Sequence, residues 1–274
     1  MMSQSEIDTK NTEFWDELCG SGLARSLGIS EASPENLRRF DEAYMRFYPY
    51  LKKYVVDEAL GGKKVLEIGL RFGTLGHLLA SRGCEYYGLD IARNPVVMMR
   101  YRLSLLGQNP AGRIQQGSAL EIPHKDSSFD YVYSVGCLHH RGNLGQAISE
   151  GFRVLARGGK AIVMLYHKHS FRRLVKVPLL ILRGLLEDWT EADRSRTLRA
   201  RYDTNAKGEA APHTDYVSWS EVREFSGRFA RVHIESQNFD NLAFLKGRLV
   251  IPREKLLSNF ARVAGLDLYI EAYR

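Results

Sequence analysis

The stretch Val65-Leu66-Glu67-Ile68-Gly69-Leu70-Arg71-Phe72-Gly73 joins an apolar run to a glycine-bearing turn. A buried strand that ends in such a turn lets a ligand reach the backbone, because glycine has no side chain to block it. Glu67 lies two residues before Gly69, and Asp90 lies twenty-one residues after it, at the end of the next apolar run. A carboxylate at that place suits the two hydroxyls of a ribose. The glycine spacing is G-x-x-x-G-x-x-G, through Gly69, Gly73 and Gly76. It differs from the G-x-G-x-x-G that sets a pyrophosphate on a helix N-terminus. No G-x-x-x-x-G-K-[ST] phosphate loop occurs in the chain. The set points to an adenosine-bearing ligand without a pyrophosphate.

His139 and His140 are the other chemically able pair. The ordinary histidine pKa suits proton removal at neutral pH, so either is a candidate general base. Either could equally shape a pocket floor or bond to backbone. His167 and His169 lie further along, but no metal-ligand spacing joins them to the first pair, and no metal site is expected. Taken singly, Glu67 reads as readily as a cap for backbone groups, and Asp90 as an ordinary strand-end residue. The spacing of the whole set favours function.

These residues need a sheet to hold them. Segments 63–69, 84–90, 112–119, 129–135 and 160–167 read as strands, and 73–83, 94–107 and 144–159 as helices. That alternation predicts a parallel sheet with helices on both faces. Segments 230–239 and 266–274 add two strands, after helices at 218–229 (capped by Ser218 and Glu221) and 252–265. Ahead of the sheet, 1–11 reads as disordered and 12–27 as a short helix carrying Phe14, Trp15 and Leu18. Ser33-Pro34 opens an aromatic helix that is interrupted at Pro49 and stopped by Gly61-Gly62. Residues 168–217 break the rhythm with an apolar and basic run (171–189), a charged helix (190–202) and a polar loop. The stretch 171–186 could lie on a membrane, but burial against the domain is the expectation. The organisation expected is an N-terminal helical extension or lid (1–60) and an α/β domain (61–274) with a helical insertion at 168–217.

Composition narrows the class. The chain has 274 residues, 44% apolar and 26% charged, as in an ordinary globular protein. No apolar run is long enough to span a bilayer, and the N-terminus lacks a signal-peptide pattern, so the expected location is cytoplasmic. Cys19, Cys84 and Cys137 are sparse and odd in number, which argues against a disulfide framework; Cys84 and Cys137 sit in apolar runs and read as buried thiols. The net charge of +7 permits an anionic partner, but no nucleic-acid-binding signature accompanies it. Nucleic acid is therefore disfavoured, and the oligomeric state is left open.

Residues from about 63 to 167 resemble the class I S-adenosylmethionine-dependent methyltransferases, most closely the small-molecule branch called type 11 or UbiE-like. The loop from Glu67 is similar to that family's E-x-G-x-G-x-G. Gly117-Ser118-Ala119-Leu120-Glu121-Ile122-Pro123 resembles G-D-A-x-x-L-P, and Phe129-Asp130-Tyr131-Val132 resembles F-D-x-V. Leu138-His139-His140 matches L-H-H, and Arg153-Val154-Leu155-Ala156-Arg157-Gly158-Gly159 resembles R-V-L-K-P-G-G. With Asp90 at the place of the family's ribose-binding acid, the order of six such segments is specific where any one is weak. The resemblance implies a seven-stranded, mostly parallel sheet whose last strand is antiparallel and inserted between the fifth and sixth. It implies S-adenosylmethionine as cofactor and S-adenosylhomocysteine as product. Carried over residue by residue, it implies cofactor contacts at Glu67, Gly69, Leu70, Arg71 and Gly73, at Asp90 and Ile91, at Ser118 and Ala119, and at Val135.

Two positions depart from the pattern. Arg71 replaces the middle glycine of the loop; it could project away, pair with the cofactor carboxylate, or block the pocket. Ser118 replaces an aspartate beside the adenine and is a weaker, neutral acceptor. The reaction implied is direct displacement onto a small-molecule acceptor, hydrophobic or aromatic to match the aromatic extension and apolar insertion, with His139 or His140 as base. Two other readings stand beside it: a cofactor-binding module without turnover, which Arg71 favours, and an RNA or protein methyltransferase, which the basic charge favours.

Overall fold

The computed structural model describes residues 2–17, 22–55, 58–186, 190, 197, 199, 200, 202–244 and 248–274. Four helices lead: α1 (Gln4–Asp16), α2 (Gly22–Ser26), α3 (Pro34–Phe47) and α4 (Lys52–Val55). Then follow β1 (Lys64–Ile68), α5 (Thr74–Ala80), β2 (Glu85–Asp90), α6 (Arg93–Leu105), β3 (Ile114–Gln116), β4 (Phe129–Val135), α7 (Leu144–Val154) and β5 (Leu155–Tyr166). The rest comprises α8 (Val177–Leu186), α9 (Trp219–Phe225), β6 (Arg231–Gln237), β7 (Leu242–Phe244), β8 (Leu249–Ile251), α10 (Asn259–Ala264) and β9 (Asp267–Tyr273).

Seven strands form one sheet in the order β3-β2-β1-β4-β5-β9-β6. β1 to β5 pair in parallel, and β9 runs antiparallel between β5 and β6. This is the expected seven-stranded plan. Alternate residues of β1 serve opposite faces, as a period of two requires. Val65 packs with Leu75, Leu79, Met99 and Leu103 of α5 and α6. Leu66 and Ile68 pack with Leu144, Ala147 and Ile148 of α7 and with Val222 of α9.

Several local expectations change. The first residues are helical, because Ser3 and Glu6 form a reciprocal capping box at the start of α1. The helix expected over 144–159 ends at Val154, since Leu155 already pairs with Phe129 in the sheet. The long helix expected over 252–265 is a short 3-10 turn (Arg253–Lys255) and α10. A β7–β8 hairpin precedes it that the sequence pattern did not suggest. The caps at Ser33 and Ser218 form as expected, and the aromatic helix breaks before Pro49. Cys84 is buried and Cys137 is half-buried. The charged helix expected over 190–202 lies mostly outside the described residues, as do Leu18 and Cys19.

Helix α3 is fastened to the sheet domain by charge. Arg102 of α6, 1% exposed, donates to both carboxylate oxygens of Asp41 at 2.8 and 2.9 Å. Thr74 at the start of α5 donates to the same carboxylate at 2.6 Å. Phe40 stacks on Phe72 with ring centroids 4.2 Å apart.

Candidate active site

The loop after β1 turns through three left-handed residues, Gly69 (φ 88°), Arg71 (φ 49°) and Gly73 (φ 76°). Only glycine enters that region without cost, so Arg71 carries strain of about 1–2 kcal/mol. The glycines also make room for protein rather than ligand. A Cβ at Gly69 would overlap the Cys137 side chain, one at Gly73 would come within 2.7 Å of Arg102 Cδ, and one at Gly76 would overlap the Tyr86 hydroxyl.

Two buried carboxylates flank this loop. Glu67, 2% exposed, accepts a short hydrogen bond from the Tyr86 hydroxyl. Burial pushes its pKa up to about 8, against the bond from Tyr86 and with a smaller push from Asp90. Asp90 caps the loop: its oxygens accept from the backbone N–H of Leu70 at 2.7 Å and of Ala92 at 2.9 Å. Each carboxylate oxygen has a second lone pair, so Asp90 keeps acceptor capacity for a ligand.

A cavity of about 490 Å³ opens over the carboxyl ends of β1 and β4. Glu67, Gly69, Leu70, Arg71, Gly73 and Val135 line it, facing Phe14 and Trp15 of α1 and Phe40 and Tyr44 of α3. Ile91, Ser118, Ala119 and the Asp90 carboxylate sit at the neighbouring strand ends, outside this lining. The Ser118 hydroxyl accepts from Leu120 N–H at 3.2 Å, and Ala119 is buried. A second cavity of about 320 Å³ adjoins the first. Arg71, Val135, Tyr44, Tyr48, Tyr202 and Asp203 line both. Tyr166, Asp267 and Tyr269 line only the second.

Arg71 therefore stands at the junction. Its Nη2 donates to the Gly136 carbonyl at 2.8 Å, and its guanidinium lies 5.5 Å from the Trp15 ring centroid. Burial works against its charge, but Asp203 and nearby tyrosines outweigh it and hold the pKa above the ordinary arginine value.

Asp203 is the functional candidate that the sequence reading missed. It accepts from the Tyr166 hydroxyl at 2.6 Å and faces His140 Nε2 at 3.5 Å. His140 Nδ1 lies 2.8 Å from the His213 carbonyl, which must accept, so Nδ1 carries the proton and Nε2 holds the lone pair. Burial pulls the His140 pKa down to about 4, against the raising effect of Asp203, so the ring is neutral at pH 7. The gap between Nε2 and the carboxylate is thus a place for one incoming proton. His139 is fully buried, with its ring 4.0 Å from Tyr166 and 4.2 Å from His140; burial pulls its pKa well down. Neither histidine lines either of these two cavities, and His140 reaches the junction through Asp203.

Helix α1 lies across these strand ends. Asn11 donates to the His140 carbonyl at 2.7 Å, Gln4 to the Arg141 carbonyl at 2.7 Å, and Asp16 accepts from Asn94 N–H at 2.7 Å. The Glu17 carboxylate accepts from Ala206 N–H, which ties α1 to the loop bearing Asp203. The Trp15 ring centroid lies 4.9 Å from that of His140.

Residues 66–163 match the family model described as a methyltransferase domain. The demethylmenaquinone methyltransferase of Tropheryma whipplei (strain Twist) is 28% identical over 152 residues, covering 48% of this chain and 62% of that protein. The norajmaline N-methyltransferase of Rauvolfia serpentina is 27% identical over 160 residues, covering 56% and 53%. The chain thus spans less than two thirds of the length of these relatives. The solved structure of magnesium protoporphyrin IX methyltransferase from Synechocystis PCC 6803, with bound SAH, superposes with a TM-score of 0.55 at 15% identity. That likeness covers 98% of this chain and 99% of the other, and it concerns the fold. Residues 66–163 thus match a methyltransferase domain, and the seven-stranded sheet has the topology expected of the class I, S-adenosylmethionine-dependent methyltransferases.

Proposed function

We propose that the protein transfers the methyl group of S-adenosylmethionine to a small-molecule acceptor. The observation that carries this reading is the pair of joined cavities, one over the glycine loop and one behind it, meeting at Arg71, Val135 and Asp203. The first cavity and the strand ends beside it fit the cofactor by their polar groups: the Glu67 carboxyl group in the lining and the Asp90 carboxylate next to it for polar hydrogens, a guanidinium at Arg71 for a carboxylate, and aromatic walls. Its volume of about 490 Å³ lies within the range of small-ligand sites, about 300–1,000 Å³. When bound, the cofactor supplies a methyl group already activated by a sulfonium.

The residues of this chain then have three tasks. Asp90 holds the ribose hydroxyls, Arg71 the methionine carboxylate, and Ser118 and Ala119 border the adenine. Trp15 and Phe14 exclude water, which strengthens every polar contact inside. Asp203 accepts the proton of an acceptor hydroxyl or amine at the junction and shares it with His140 Nε2, while the Tyr166 hydroxyl steadies the carboxylate. The rings of Tyr44, Tyr48, Tyr202 and Tyr269 suit an aromatic or partly apolar acceptor. Alignment does most of the remaining work, since the donor is already reactive.

Calorimetric titration of the folded protein with S-adenosylmethionine and S-adenosylhomocysteine tests the cofactor half. Binding in the micromolar range, about −8 kcal/mol, lost in Asp90→Ala, supports it. An acceptor screen for methyl transfer tests the rest. Tight cofactor binding with no transfer across a broad panel would favour a regulatory module.

A further inference from the structure

The helical stretch that begins at Phe171 is apolar both toward the protein and away from it. Val177 and Ile181 are half-buried, while Leu174, Val175, Leu179 and Leu182 are exposed, Leu179 by 63%. Val175, Pro178, Leu179 and Leu182 follow the i, i+3, i+4, i+7 pattern and share one outward face. This differs from burial of the whole segment against the domain. A helix apolar all round is ordinarily covered. The β7–β8 hairpin extends the surface: Leu249 and Val250 are exposed by 55% and 48%, and Arg248 is exposed beside them. Phe171, Leu242 and Ile251 pack on Phe239 and Leu256, which joins the hairpin to the root of α8.

Charge decides what covers this face. From Lys168 to Leu186 the sequence carries Lys168, Arg172, Arg173, Lys176 and Arg183 and no acid. Glu221 meets Lys168 at 3.0 Å and Asp240 meets Arg172 at 2.6 Å. Arg173 lies 3.9 Å from the Tyr216 ring centroid, a contact that leaves its charge in place. A second copy would bring the same bases against this stripe, and like charges oppose such pairing. An anionic lipid surface complements both the apolar stripe and the bases.

We propose that α8 and the β7–β8 hairpin dock the protein on an anionic phospholipid surface. The leucines and valines enter the acyl boundary, and Arg173 and the exposed Arg248, which neither Glu221 nor Asp240 holds, meet the headgroups. No helix among the described residues is long and apolar enough to cross a membrane, so the contact is interfacial. Arg172 and Phe239 line the second cavity, so docking brings that cavity beside the lipid. The proposal does not depend on methyl transfer.

Vesicle co-sedimentation tests it, comparing phosphatidylcholine with phosphatidylcholine containing about 30% phosphatidylglycerol. The wild type is expected to partition at least about tenfold more strongly onto the anionic vesicles, and less in high salt. Leu179→Glu/Leu182→Glu is expected to abolish binding without changing the melting temperature. Val97→Glu/Leu105→Glu, which alters exposed residues of α6, is expected to bind as wild type. Absence of sedimentation, equal sedimentation with neutral vesicles, or full binding by the α8 variant each overturns the proposal. So does a dimer in light scattering that the α8 variant dissolves while vesicles bind neither protein, which would give the face to a second copy.

Discussion

Arg71 offers the sharpest test of the cofactor site. It holds a left-handed backbone, φ 49°, where a glycine would rest without strain. Replacing it by glycine relieves about 1–2 kcal/mol of strain. The same change removes the bond to the Gly136 carbonyl, made at 2.8 Å by a charged donor and worth about 1.5–3 kcal/mol. The two effects nearly cancel, so Arg71→Gly is expected to melt within a few degrees of wild type. Ligand affinity then reports on the guanidinium alone. If Arg71 pairs with the amino-acid carboxylate of the cofactor, its loss costs about 1.5–3 kcal/mol, or about 10- to 150-fold in Kd. The assay is calorimetric titration with S-adenosylhomocysteine and with 5′-methylthioadenosine, which shares the adenosine but has no carboxylate. The expected outcome is weaker binding of the first and unchanged binding of the second. Equal loss for both ligands, or no loss for either, refutes the pairing. Tighter binding of S-adenosylhomocysteine would show that Arg71 obstructs the cavity.

Three further outcomes follow from the buried groups. Glu67, with its pKa at about 8, keeps its proton in the folded state at a pH where the unfolded chain has lost it, so stability falls as pH rises. From pH 6.5 to 8.5 Glu67 contributes a fall of about 2 kcal/mol, opposed by the buried histidines, which the unfolded chain still protonates near pH 6.5; Glu67→Gln keeps those histidines, so its urea midpoints should lack that fall relative to wild type, and parallel profiles of the two proteins contradict the assignment. Asp41→Ala leaves the Arg102 guanidinium buried without its carboxylate and is expected to cost about 3–5 kcal/mol in urea unfolding, whereas Asp41→Leu/Arg102→Met should cost much less; equal costs would mean that the charge is not the issue. Gly76→Ala forces a methyl onto the Tyr86 hydroxyl and to within 2.7 Å of Glu67 Oε2, and is expected to lose about 1–3 kcal/mol in thermal unfolding, with weaker S-adenosylhomocysteine binding. A fully stable variant would place Gly76 outside the packing argument.

The sheet was legible because most of its strands are short apolar runs, several of them set off by glycine, that alternate with helical spacing, a pattern that needs no tertiary knowledge. The glycine loop was legible for the same reason, although the cause differs in part: Gly69 and Gly76 make room for Cys137 and Tyr86. Asp203 was not legible. It lies in a polar loop, and its partners Tyr166 and His140 come from distant segments. The backbone bond from Asp215 N–H to the His139 carbonyl and the bridge between His167 and Val217 draw that loop over the strand ends, and no spacing encodes them. The start of helix α1, before residue 12, was missed because it is polar; its capping box is readable, but its anchors on His140 and Arg141 are tertiary. The outward leucines of α8 cannot be told from core by pattern, since apolarity does not say which partner covers it.

The placement of β9 between β5 and β6 has a consequence for how the protein is made. Both flanking strands precede β9 in the chain, so each waits with an open edge until residue 273 has been synthesised. The waiting edge of β5 includes Ile162, Val163 and Leu165, a segment able to pair with other chains. Asp267 of the second cavity is also the first residue of β9. A nascent or truncated chain therefore has neither a complete sheet nor a finished second cavity, and holding it soluble during that interval falls to whatever shields unpaired strands in the cell.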